Sequence, residues 1–91
     1  MNLKLSGKLA LVSGSTKGIG LAIATVLARE GAEVIVNGRS EASLARAIEK
    51  ISESVTAAKL LGYAGDLSDA GVAAALVRRF PDIDILVNNL G

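Results

Sequence analysis

The chain has 91 residues, 10 basic against 9 acidic side chains, a formal net charge of +1, and neither Cys nor His. That composition excludes disulfides, thiol chemistry, His-containing zinc sites and any Ser-His-Asp apparatus within the sequence. The charge balance argues against a nucleic-acid or membrane-surface footprint, and no apolar run approaches the ~20 residues of a membrane helix.

Read in chain order, short apolar runs alternate with helix-period segments. Met1 to Lys8 lacks a signal-peptide pattern and reads as a lead-in, so a cytoplasmic protein is expected. A first strand is predicted over about Leu9 to Ser13. A helix follows from about Ile19 to Glu30, with Ile19, Ala22, Ile23, Val26 and Leu27 on its inward face and Gly31 as its stop. The second strand is Glu33 to Asn37. The second helix begins near Ser40-Glu41, a cap with acidic support, and runs to about Glu53 with Leu44, Ala47, Ile48 and Ile51 inward. A weaker third strand spans about Lys59 to Ala64. Ser68 or Asp69 caps a third helix carrying Val72, Leu76 and Phe80, which ends before Pro81 with Arg78-Arg79 favourably placed at its carboxyl end. The fourth strand is Asp84 to Asn88.

This βαβαβαβ pattern implies an α/β, Rossmann-like three-layer parallel sheet, because parallel neighbours need crossover connections. Right-handed crossovers give strand order 3-2-1-4. The fourth strand, reading Ile85-Leu86-Val87, is then left at an edge. The core is expected to be aliphatic, since apolar residues make up 51% while Tyr63 and Phe80 are the only aromatics. Residues 1–91 read as a single half-domain of an incomplete fold, truncated or covered at that edge by another chain.

The chemistry concentrates at the carboxyl ends of the strands. Gly14, Gly18 and Gly20 stand in the spacing G-x-x-x-G-x-G between a strand and a helix. Three close glycines let the backbone approach a bulky anion, and the first helical turn offers it free N–H groups. A phosphate-binding P-loop is ruled out, since Lys17 is followed by Gly18 where Ser or Thr is required; a merely structural tight turn is the alternative. After the second strand comes Asn37-Gly38-Arg39-Ser40, without the carboxylate that would hold an NAD ribose. Arg39, with Lys17 across from it, suits a 2′-phosphate and favours NADP over NAD; a solvated Arg is the bland reading. Asp66, in Gly65-Asp66-Leu67-Ser68, can accept from an adenine amino group while the next N–H meets a ring nitrogen, or can simply cap a helix. Tyr63 reads as a packing residue, Asp82 and Asp84 as solvated turn acids, and Asn88-Asn89 as a crevice-lining or turn pair. No metal site is expected.

These motifs, in this order, resemble the short-chain dehydrogenase/reductase family over residues 6 to 91. Its T-G-x-x-x-G-x-G motif is matched with Ser13 for Thr, and its N-N-A-G motif with Asn88-Asn89-Leu90-Gly91, where Leu90 replaces Ala. The resemblance implies that Gly14, Ser15, Thr16, Lys17, Gly18, Ile19 and Gly20 wrap the cofactor's phosphates and adenosine ribose. It further implies that Arg39 holds the 2′-phosphate, Asp66 and Leu67 hold the adenine, Asn89 lines the adenosine side and Asn88 stabilises the sheet. The family transfers a hydride between nicotinamide and a carbonyl or alcohol, using a Ser and a Tyr-x-x-x-Lys pair. Here the single tyrosine, Tyr63, has Leu67 four residues on, so no catalytic residue is assigned. The expectation is the NADP(H)-binding portion of such an oxidoreductase, homo-oligomeric when complete; a non-catalytic nucleotide-binding module or a remnant docking on a full-length relative is the alternative.

Overall fold

The computed structural model describes residues 5–89. Leu90 and Gly91 of the expected N-N-A-G match lie outside them. Seven elements alternate: β1 (Leu9–Val12), α1 (Gly18–Arg29), β2 (Glu33–Gly38), α2 (Glu41–Ser54), β3 (Lys59–Ala64), α3 (Ala70–Arg79) and β4 (Ile85–Val87). All strand pairs are parallel, in the order β3-β2-β1-β4. The predicted order is therefore the observed one.

Strand side chains alternate between the two faces, and the core divides accordingly. Ala10, Val12, Val34 and Val36 face α1 and α2, together with Ala24, Ala28, Leu44, Ala47 and Ile51. Leu11 and Ile35 face the other way and pack with Leu76 of α3. Among the described residues β4 pairs only with β1, and its Leu86 stays 67% exposed on the α3 side. Among the described residues no helix is long and apolar enough to cross a membrane.

Of the predicted inward face of α1, Ile23 and Leu27 do pack against the core, partly buried, but the rest of that face differs. Gly20, Ala24 and Ala28 are the buried positions, whereas Ile19 and Val26 are exposed. Small residues at i, i+4 and i+8 let the helix axis approach the sheet closely, which a stripe of Ile and Val would prevent. The turn acids also need correcting at one position. Asp84 accepts from the Leu9 N–H through Oδ2 (2.9 Å), while its own N–H donates to the Leu9 carbonyl (2.8 Å). It fastens the start of β4 to the start of β1.

Candidate functional site

β1, β2 and β3 run parallel, so the turns that follow them gather at one end of the sheet. The turn after β1 is built from two left-handed glycines, Gly14 (φ 57°) and Gly18 (φ 62°). An L-residue at either would cost about 1–2 kcal/mol. Gly20 serves a different purpose: a Cβ there would collide with the Gly14 carbonyl oxygen and lie 2.6 Å from Asn89 Nδ2. Likewise, a Cβ at Gly38 would overlap the Thr16 methyl group. The turn is thus pressed between α1 and the end of β2.

Hydrogen bonds fix the turn from three sides. Ser15 is buried and points inward, its hydroxyl donating to the Val12 carbonyl (2.7 Å) and accepting from the Asn37 N–H (2.8 Å). Asn37 is 2% exposed. Its Oδ1 accepts from the Gly14 N–H (3.0 Å), and its Nδ2 donates to the carbonyls of Tyr63 (3.0 Å) and Gly65 (3.1 Å). One amide therefore ties together the ends of β1, β2 and β3. On the β4 side, the Asn89 N–H donates to Ser13 Oγ (2.8 Å) and its Nδ2 to the Gly14 carbonyl (3.2 Å). Ser13 serves here through its hydroxyl, the group it shares with Thr.

The three helix starts are not alike. Ser40 caps α2 by accepting from the Ser43 N–H, and Asp69 caps α3 by accepting from the Gly71 and Val72 N–H groups. Asp69, not Ser68, is the α3 cap. Lys17 stands at the N-cap of α1 with no side-chain cap hydrogen bond and no acid in the first turn. The helix entered from the glycine turn is thus the one whose leading N–H groups are left for an external acceptor.

Beside that turn lies a pocket of about 730 Å³. Gly14 and Thr16 form one wall, Ser43 and Ala47 of α2 the other, and four cations line it: Lys17, Arg39, Arg46 and Lys50. Among the described residues no carboxylate lines it. The sequence reading brought Lys17 and Arg39 here but missed the α2 pair; its signal was the i, i+3, i+4, i+7 spacing of Ser43, Arg46, Ala47 and Lys50. Ile19 is exposed beside the turn. Leu67 turns its side chain to the opposite sheet face, against the Leu11–Ile35–Leu76 cluster. Tyr63 packs there too, its hydroxyl donating to the Val72 carbonyl (3.4 Å).

The family is legible from this arrangement and is matched independently: the short chain dehydrogenase model covers residues 8–91. The chain belongs to the short chain dehydrogenase family. Members of this family bind a nicotinamide dinucleotide. The chain is 48% identical over 91 residues to the uncharacterized oxidoreductase YvaG of Bacillus subtilis (strain 168), covering 100% of this chain and 34% of that protein. The solved structure of 2-keto-3-deoxy-D-gluconate dehydrogenase from Streptococcus agalactiae superimposes with TM-score 0.87 at 35% identity, over 99% of this chain and 35% of that one. L-Sorbose reductase from Gluconobacter frateurii, solved with NADPH and L-sorbose, gives TM-score 0.82 at 36% identity, over 100% and 36%. The chain spans about a third of the length of the curated relatives it matches.

Asp66 does not line the cationic pocket, though it lies near enough to Arg39 to feel its charge. Ser68 donates to its Oδ1 from both hydroxyl (2.6 Å) and N–H (3.0 Å). Those bonds, with a smaller contribution from the Arg39 charge, hold its carboxyl below the ordinary Asp range. The depressed value means that Asp66 adds stability above the ordinary Asp range, which is lost as pH falls through the lowered value. Carbon-detected NMR titration should give a midpoint below that of an unperturbed Asp, and Ser68→Ala should raise it. An unchanged midpoint in that variant would mean that the Ser68 hydroxyl is not what favours the carboxylate.

Proposed function

We propose that residues 1–91 form the dinucleotide-holding half of an NADP(H)-dependent short-chain oxidoreductase, which as a whole moves a hydride between nicotinamide and a carbonyl or alcohol. The observation that carries this reading is the pairing of Lys17 and Arg39 across one pocket, beside the uncapped start of α1. The residues fit the group. The bare backbone from Gly14 to Gly20 leaves room for a pyrophosphate and offers N–H donors to it. Thr16 and Lys17, which line the pocket, would hold the adenosine ribose. Arg39 offers a planar fork and Lys17 a point charge to a 2′-phosphate. With Asp66 Oδ1 already taken by Ser68, Asp66 and the Leu67 N–H would hold the adenine. Ser15 and Asn89 act from behind, bracing the turn. Ile19 gives apolar cover at the mouth.

The bound nicotinamide supplies the hydride chemistry. This chain's own residues bind, orient and select the dinucleotide; the proton-handling Ser and Tyr-x-x-x-Lys pair has no counterpart among them. A cytoplasmic, homo-oligomeric whole protein follows from the same resemblance. That the L-sorbose reductase was solved with NADPH supports the choice of dinucleotide, as does the absence of a pocket-lining carboxylate among the described residues.

Arg39→Asp tests the reading. Losing a charge-assisted contact costs about 1.5–3 kcal/mol, so NADPH should bind roughly tenfold to a hundredfold more weakly. The new carboxylate can accept from a ribose 2′-hydroxyl, so preference should pass to NADH. Calorimetric titration with both nucleotides reads this directly; an undiminished NADPH affinity would remove Arg39 from the site.

A further inference from the structure

The pocket holds more positive charge than the motif residues supply. We propose that Arg46 and Lys50 of α2 are specificity-determining residues, an outer cationic tier that selects a 2′-phosphorylated adenosine over an unphosphorylated one; this rests on the NADP(H) reading above.

Three observations carry it. Ser43, Arg46, Ala47 and Lys50 share one face of α2, and all four line the pocket that Lys17 and Arg39 line from the other side. Ala47 is 1% exposed, which anchors that face against the core and fixes its rotation. Second, Arg46 and Lys50 are like charges four residues apart, an arrangement that destabilises an isolated helix. Glu49 and Glu53 lie on the same helix, yet among the described residues neither Arg46 nor Lys50 is in an ion pair. Their charge is left for something outside the chain. Third, a dianionic 2′-phosphate is the one group that distinguishes the two nicotinamide dinucleotides. The pyrophosphate is common to both and lies at the glycine turn, so cations gathered beside Arg39 act on the difference.

The predicted signature is therefore selective and sensitive to salt. Cations converging on one pocket raise the local concentration and capture rate of an anion, and the effect falls with ionic strength. The double variant Arg46→Gln, Lys50→Gln removes both charges while keeping polar, unbranched side chains of similar helix propensity. At low salt it should weaken NADPH binding about tenfold while leaving NADH within twofold, and the NADPH deficit should shrink at ~0.5 M salt. An unchanged NADPH affinity, or equal losses for both nucleotides, overturns the inference. The wild-type chain separates the two ideas. If it prefers NADPH and the variant prefers it as strongly, the outer tier alone falls; if the wild type shows no preference, the 2′-phosphate reading falls with it.

Discussion

Valine at position 20 should strip the chain of much of its stability. The first added carbon would collide with the Gly14 carbonyl oxygen and come within 2.6 Å of Asn89 Nδ2. The obstacle is backbone on one side and a hydrogen-bonded amide on the other, so neither can swing aside as a flexible side chain would. Intrinsic helix propensity favours Val over Gly by a few tenths of a kcal/mol, far less than the steric cost of about 3 kcal/mol or more. Relief requires α1 to lift from the turn, which also unpacks Ala24 and Ala28 from the sheet. A chain of this length holds roughly 5–14 kcal/mol in all. The urea midpoint should fall accordingly, with Gly20→Ala intermediate. Gly18→Ala is the matched control: its φ of 62° is strained for Ala, but nothing lies within 4 Å of the added carbon. It should lose only about 1 kcal/mol. Equal midpoints for Gly20→Val and the wild type would mean that α1 does not pack on the Gly14 turn.

The alternation of apolar runs with helix-period segments makes the sheet, its order and its edge strand readable in the sequence. What escaped was decided by size and direction more than by polarity. Large aliphatics mark only part of the inner face of α1: Ile23 and Leu27 pack on the core, while the close approach to the glycine turn selects Gly20, Ala24 and Ala28. Their spacing was visible, but a scale that ranks residues by apolarity passes over it. The site divides similarly. Lys17 and Arg39 sit in loops at strand ends, where a ligand is looked for; Arg46 and Lys50 sit on a helix face, where cations are normally solvated. Asp84 was read as a turn acid because nothing local foretells a partner 75 residues away. Asn37 was read only for the carboxylate it is not, although its amide organises three of the four strand ends.

That amide leads to the second large effect. Asn37→Asp preserves shape and replaces one atom, yet it should cost about 3–5 kcal/mol at neutral pH, as expected for an uncompensated buried charge. Oδ1 can still accept from the Gly14 N–H, but the second oxygen would face the Tyr63 and Gly65 carbonyls, where Nδ2 now donates at 3.0 and 3.1 Å. The side chain is 2% exposed, so water cannot repair the mismatch. Protonation can do so in part, since a carboxyl O–H serves one of the two carbonyls. The folded state of the variant thus binds a proton that its unfolded state releases near the ordinary Asp value. A native state holding more protons loses stability as pH rises, so the variant should be closer to wild type at pH 4 than at pH 7. Urea midpoints at the two pH values measure this, and a pH-independent deficit would mean that the new carboxyl is not held between those carbonyls. Nucleotide preference supplies a second reading. An acid at the end of β2 suggests NAD when only the sequence is considered, but residue 37 points into the strand-end network and not into the pocket lined by Lys17 and Arg39. Asn37→Asp should therefore weaken both dinucleotides by loosening the turn, without the gain toward NADH expected of Arg39→Asp.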